Sequence, residues 1–227
     1  MKILYTPSFF NNFDLAISLF SFVILVLFFI FSWKNYRLSK NKKMFYLSSA
    51  FLLIAFAEFA SILAKFIIFY DINMVGHIGQ VIITYTTIKS TDILYDLGFF
   101  IHKLFTLMGV YIVYLLSSKN KINLSMIPLV LLFLFISSLV GQMIFFVFHI
   151  AVIILLLLIV NNYLKIYKSN KFENTKYLLI AFILLLASHI LFLVSPFVLG
   201  YITAQIIQLV GYVTLLYLII RILNDGK

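Results

Sequence analysis

The 227-residue sequence contains no cysteine and few charged residues. Without cysteine, the chain can form no disulfide, thiolate metal site, iron–sulfur cluster or cysteine nucleophile. Charged residues make up only 11% of the sequence, whereas soluble domains have about 25%. Apolar residues make up 64% and include 26 phenylalanines, more than a water-soluble fold of this size can bury. The composition therefore predicts an integral membrane protein.

Seven apolar runs are long enough to cross a bilayer, which takes about 20 residues per helix. They predict an all-α polytopic protein, a single seven-transmembrane-helix bundle over 1–227, with spans at about 13–33, 45–70, 91–116, 124–140, 143–163, 177–195 and 199–220. The apolar run 81–88 is too short to span, so we expect a loop at 71–90 that contains a hairpin or an interfacial stretch. No repeated segment is evident.

The basic residues predict the orientation in the membrane. Of the 17 lysines and arginines, 13 lie in alternate connections or in the tail. The positive-inside rule therefore places the N-terminus outside and the C-terminus in the cytoplasm of a cell-membrane protein. Basic residues spread over short loops do not form the single patch that nucleic-acid binders use. We expect contact with the lipid bilayer and, through the basic loops, with anionic lipids or a separate signalling partner.

Ionisable residues inside the spans are the first candidates for a site, because a charge in hydrocarbon needs a partner or a wet cavity. Glu58, Ser61 and Lys65 share one face of span two, and span three carries Asp96 and Lys103. In an antiparallel pair of helices, two residues at the same depth are equally far from the turn along the chain. The midpoint in residue number is 80.5 both for Glu58 with Lys103 and for Lys65 with Asp96, so we expect these two ion pairs. They are either structural salt bridges or part of a ligand-binding or proton-handling site. Small residues that predict close packing of the two helices are Ala57, Ala60, Ala64, Gly98 and Gly109.

Three histidines, His102, His149 and His189, lie in the predicted outer halves of spans three, five and six. They are compatible with a metal site, an axial pair for haem or a titrating relay. The alternative is hydrogen bonds between helices, which polar side chains in membrane helices often form. No two of them have a metal-binding spacing along one helix, so a metal or haem would depend on tertiary geometry, and the cofactor stays unknown.

Span seven carries a regular polar stripe. Tyr201, Gln205, Gln208 and Tyr212 lie at i, i+4, i+7 and i+11, which places them on one helical face. Their partners are either side chains of span six or a ligand with donors and acceptors. Polar residues lie at mid-membrane or outward of it, whereas the inner halves of the later spans are hydrocarbon. This asymmetry favours an outward polar pocket over a conducting path.

The segment 188–192 and the segment 200–211 resemble small prokaryotic, archaeal-type seven-helix membrane proteins and the input modules of seven-helix sensors. The resemblance implies a sensor input module without an assigned activity. The overall design also resembles opsins and zinc-dependent seven-helix hydrolases, but span seven has neither a lysine for retinal nor a histidine for zinc.

We therefore expect a sensor or ligand-binding module for an unidentified small molecule, with no catalytic residues assigned. Its candidate ligand-binding residues are Glu58, Ser61, Lys65, Asp96, His102, Lys103, His149, His189, Tyr201, Gln205 and Gln208. An alternative is a membrane enzyme or redox protein in which His102, His149 and His189 hold a metal or haem. A transporter and an assembly subunit are further alternatives.

Overall fold

The computed structural model describes residues 10–69, 80–118, 127–194 and 198–225. Within these residues the chain forms seven helices and no strand, which confirms the predicted all-α class. The helices are α1 (Asn11–Ser39), α2 (Lys42–Phe69), α3 (Gln80–Ser117), α4 (Ile127–Met143), α5 (Phe145–Asn170), α6 (Glu173–Val194) and α7 (Val198–Asp225).

Six of these helices are long and apolar enough to cross a membrane, and α4 is the exception. The 17 residues of α4 extend about 25 Å, less than the hydrocarbon thickness of about 30 Å. The first three residues of the predicted fourth span, 124–126, lie outside the described residues. The lengths and compositions indicate a multi-pass membrane protein whose exposed apolar side chains contact lipid.

The predicted loop at 71–90 is only partly testable, because 70–79 lie outside the described residues. From Gln80 onward the chain is helical, so the prediction of a loop or hairpin is wrong for 80–90. The β-branched residues of this stretch favour strands, but an isolated hairpin is only marginally stable. Extending an existing helix satisfies each backbone group locally without a new nucleation step. The resulting α3 has 38 residues, about 57 Å in length.

The helices form a closed ring in the order α1, α2, α3, α5, α6, α7 and back to α1. Helix α4 lies outside this ring and packs only on α3 and α5 among the described helices. Its inward face buries Leu134, Ser137 and Ser138, while Leu132 and Phe133 are exposed. Six helices therefore surround the axis of the bundle, and α4 covers one of the interfaces from outside.

Tight turns set α1 beside α2 and α5 beside α6. Lys40 directly follows α1 and Lys171 directly follows α5, and both are in the left-handed conformation, with φ of 54° and 51°. The backbone N–H groups of these lysines bond the carbonyl oxygens of Tyr36 and Tyr167, each at 2.8 Å. These bonds satisfy carbonyl groups that the helix end would otherwise leave unpaired.

The interface of α2 with α3 confirms the predicted close packing. A Cβ atom on Gly98 would lie 2.9 Å from that of Ala64, and one on Gly109 would lie 2.9 Å from the Ala50 carbonyl oxygen. His102 Nδ1 lies 3.0 Å from the Ala57 carbonyl oxygen. For each of these three contacts, the midpoint in residue number of the two residues falls within two of position 80.5. The predicted register of α2 against α3 is therefore correct.

Candidate ligand site

A cavity of about 60 Å³ lies on the axis of the ring. One water molecule needs about 10–15 Å³, so this cavity holds a few waters or a small molecule of a few non-hydrogen atoms. All six ring helices line it, and α4 does not. Its polar lining residues are Glu58, His102, Thr106, His189, Gln208 and Tyr212. Its apolar lining residues are Leu25, Phe51, Ile54, Val110, Val113, Phe148, Val152, Leu156, Phe182, Leu185 and Leu215.

Glu58 is the only aspartate, glutamate, lysine or arginine among the described lining residues. Its side chain is buried on α2 and accepts a hydrogen bond from the Tyr212 hydroxyl of α7. Gln208 Nε2 donates to the same hydroxyl oxygen at 3.3 Å. This chain of bonds orients the carboxylate towards the cavity from across the ring.

The Thr106 hydroxyl is buried and has no hydrogen-bond partner among the described residues, although it lines the cavity. A buried hydroxyl without a partner costs about 1–3 kcal/mol. Native proteins satisfy such groups with ordered water or with a ligand. The Ser188 hydroxyl is also buried without a partner in the described part of the chain, but it does not line the cavity.

The three histidines are gathered around one phenylalanine. The ring centroid of Phe148 lies 6.0 Å from that of His102, 5.1 Å from that of His149 and 6.2 Å from that of His189. The Nδ1 atoms of His149 and His189 are 3.0 Å apart, a hydrogen-bond distance. One ring must donate and the other accept, so the bonded pair carries at most one positive charge.

The arrangement of the histidines does not match a metal or haem site. In the described ranges no three His, Cys, Asp or Glu side chains are placed to hold a metal ion. Two axial ligands of a haem iron would have nitrogens about 4 Å apart, because each metal–nitrogen bond is about 2 Å. The observed 3.0 Å separation of His149 and His189 is that of a direct hydrogen bond between helices.

A second polar group, which we call the Asp14 cluster, lies at one end of the ring and consists of Asp14, Ser18, Lys65, Tyr201 and Gln205. Lys65 Nζ lies 2.9 Å from Asp14 Oδ1 and 2.7 Å from Ser18 Oγ. Tyr201 donates to Asp14 Oδ2 at 3.0 Å, and Gln205 Nε2 donates to the Tyr201 hydroxyl at 3.0 Å. The cluster joins α1, α2 and α7, and Asp14 is fully buried in it.

Neither of the two predicted ion pairs is formed, although the structure describes all four residues. Lys65 binds Asp14 and not Asp96, and Glu58 binds Tyr212 and not Lys103. Lys103 donates to the Gly141 carbonyl oxygen at 2.8 Å. The reason is geometric: a shared midpoint fixes the depth of two residues along a hairpin but not the direction in which each side chain leaves its helix. Lys103 faces α4, whereas Glu58 faces α7.

The structure divides the predicted site residues into three groups. Glu58, His102, His189 and Gln208 line the cavity, and His149 contacts it through His189. Lys65, Tyr201 and Gln205 belong to the Asp14 cluster. The residues brought to neither place are Ser61, which is buried on α2, Asp96, which is exposed, and Lys103.

Sequence reasoning missed Asp14 and Thr106, although signals for both exist. Asp14 lies 26 residues before Lys40, and Lys65 lies 24 residues after Asn41. Residues at similar distances from the turn between two antiparallel helices lie at similar depth, so these spacings pair Asp14 with Lys65 across spans one and two. Thr106 follows His102 by four residues and so shares its helical face.

No protein-family model matches the chain, and no curated protein or solved structure shows significant similarity to it.

Proposed function

We propose that the protein binds a small organic cation in the central cavity. The observation that carries this proposal is the position of Glu58, the one formally charged side chain among the described lining residues. Its neighbour Lys65 makes its hydrogen bonds to Asp14 and Ser18 in the Asp14 cluster and attracts Glu58 only through space. A buried carboxylate inside a membrane is stable only when it is compensated. A cation in the cavity supplies that compensation.

Aromatic rings support the same class of ligand. Phe51, Phe148, Phe182 and Tyr212 all line the cavity. Aromatic faces attract cations, and aromatic cages are a common way to bind ammonium groups. The Thr106 hydroxyl, which has no partner among the described residues, adds an acceptor for an ammonium N–H. The remaining apolar lining suits a short alkyl group, so ethylammonium matches the size and the chemistry.

The proposal extends to the topology in the membrane. We propose seven membrane crossings, including the short α4, with the N-terminus outside the cell membrane and the C-terminus in the cytoplasm. This orientation puts the Asp14 cluster near the outer surface. Glu58 precedes Lys65 by seven residues, so it lies about 10 Å deeper along α2. A ligand bound there serves a sensor that reports to a separate partner, or a carrier that releases the ligand on the other side.

Thermal unfolding of the detergent-purified protein tests the binding proposal. Ethylammonium chloride should raise the melting temperature in a saturable way, because a ligand at ten times its Kd stabilises by about 1.4 kcal/mol. Sodium chloride and ethanol, which lack the organic cation, should not. Glu58→Gln should abolish the effect and Asp96→Asn should leave it intact, since Asp96 is exposed outside the cavity.

An equal response to ethanol, or an ethylammonium response that survives in Glu58→Gln, would overturn the assignment of a cation site. An absorption spectrum and elemental analysis of the same sample test the alternative. A Soret band or one equivalent of metal would favour the histidine-based enzyme or redox function.

A further inference from the structure

The ring consists of two copies of one three-helix arrangement. In the first copy α1 packs on α2 and α2 packs on α3, and in the second α5 packs on α6 and α6 packs on α7. The copies meet at two seams, α3 with α5 and α7 with α1. Because α4 adds one helix between the copies, corresponding helices run in the same direction. Exchanging the copies therefore maps each pair of contacting helices in the ring onto another contacting pair.

The sequence repeats in the same way over α1 and α2. When residues 131 positions apart are compared, 34–53 and 165–184 are identical at eight of 20 positions. Tyr36 matches Tyr167, and Lys40 matches Lys171. These same residues form the two left-handed helix ends, with the same N–H to carbonyl bond at 2.8 Å. The repeat is therefore present in the sequence and in the backbone conformation.

Helices α3 and α7 correspond with a shift of 102 residues. Gly98 matches Gly200, and Gly109 matches Gly211. Gly109 packs on the Ala50 carbonyl oxygen, and Gly211 packs on that of Ala181. Ala50 and Ala181 are themselves 131 residues apart, so the helix contacts agree with the shift found independently for α1 and α2. The close glycine contact holds α3 to α2 and α7 to α6 inside each copy.

The cavity lies on the pseudo-two-fold axis that relates the copies. Fourteen of its 17 lining residues form seven equivalent pairs under these two shifts. Three of the pairs are Phe51 with Phe182, Glu58 with His189, and Thr106 with Gln208. The cavity is thus built equally by both copies.

We propose that the chain is a carrier that moves its ligand across the membrane by rocking one three-helix copy against the other. This rests on the cavity being the ligand site, as proposed above. Parallel repeats about an axis along the membrane normal, with a site at their interface, are the design of several carrier folds. The two seams are the least extensive interfaces of the ring, so each copy can move as a rigid body.

Hydrogen bonds close the two seams at opposite ends of the bundle. At the outer end, Tyr201 of α7 donates to Asp14 of α1 at 3.0 Å. At the inner end, Asn162 of α5 donates to Ser117 of α3 at 3.1 Å. Release of the first bond opens the cavity outward, and release of the second opens it inward. The hydrocarbon of the inner half needs no continuous polar path, because rocking separates the apolar walls that close it.

Cysteine labelling tests alternating access directly, because the native chain has no cysteine. Thr106→Cys places one thiol in the cavity, and Val113→Cys is a second lining position. A membrane-impermeant cationic methanethiosulfonate is added to right-side-out and to inside-out vesicles. We expect modification from both faces. Leu107→Cys is the matched control and should stay protected, since Leu107 is fully buried outside the cavity lining.

Two further substitutions test which hydrogen bond closes the cavity towards which face of the membrane. In the Thr106→Cys background, Tyr201→Phe should raise the outside labelling rate several-fold, and Ser117→Ala should raise the inside rate several-fold. Labelling from one face only at both lining positions, or protection at both in protein that elutes as a single detergent-solubilised species, would overturn the carrier. One-sided labelling, with an intact ethylammonium response of the protein without the cysteine substitutions, leaves the binding site and favours a sensor. Two-sided labelling without that response overturns only the cation assignment.

Discussion

The Lys65–Asp14 ion pair predicts a large loss of stability when Lys65 is replaced by Met. Lys65 makes two hydrogen bonds, at 2.9 Å to Asp14 and 2.7 Å to Ser18, and both partners are buried. Removal of one member of a buried pair leaves an uncompensated charge and costs about 3–5 kcal/mol. Asp14→Asn in the same background removes that charge. The double variant should therefore recover about 2–3 kcal/mol relative to additivity.

The assay is equilibrium unfolding in mixed micelles of dodecyl maltoside and sodium dodecyl sulfate, measured for each single and double variant. A matched cycle uses Asp96→Asn with Lys65→Met, and it should show coupling below about 0.5 kcal/mol. This second cycle distinguishes the Lys65–Asp14 pair of the structure from the Lys65–Asp96 pair that the sequence predicts. A stronger coupling of Lys65 to Asp96 than to Asp14 would refute the assignment of the Asp14 cluster.

Two further predictions concern the packing of glycines between helices and the hydrogen bond of Lys103. Gly109→Ala should destabilise by about 1–3 kcal/mol, because its Cβ would overlap the Ile54 side chain and lie 2.9 Å from the Ala50 carbonyl oxygen. Gly211→Ala should cost less in the same unfolding assay, since its nearest contact would be 3.2 Å, and an equal or larger cost would contradict this difference in helix packing. Lys103→Met should destabilise by about 1–3 kcal/mol through loss of its bond to Gly141. It should leave the ethylammonium response unchanged, and loss of that response would place Lys103 in the site.

The existence of seven helices and the relative level of residues on neighbouring helices could be predicted from the sequence. Apolar runs locate helices because the bilayer imposes their length, and residue numbers convert to depth because the helix rise is constant. The direction of a side chain around its helix is a different quantity, because it depends on which neighbour packs there. Lys103 faces α4 and Lys65 faces α1, and no spacing within spans two and three contains that information.

The repeat between the two three-helix copies was not predicted from the sequence, for a related reason. Its identities are few among apolar residues that lipid and core accept interchangeably. Its two shifts differ by 29 positions, because the end of α2, the start of α3 and the connection between them are together longer than the corresponding parts of α6 and α7. A single comparison at one shift therefore covers only two of three helices. The equivalence of Gly109 with Gly211 becomes clear only when both are seen on the matching carbonyl oxygens of Ala50 and Ala181.

The two copies differ in the polar residues that line the cavity, whereas they share the same arrangement of helices. Phe51 and Phe182 remain identical across the cavity, whereas Glu58 faces its equivalent His189. Volume-conserving changes are the ones that apolar packing tolerates best. A strictly symmetric site would carry two buried carboxylates, which repel each other. A single carboxylate with a histidine opposite it suits a ligand with one charged and one uncharged end, so the asymmetry of the polar groups favours a monovalent organic cation over a symmetric divalent one.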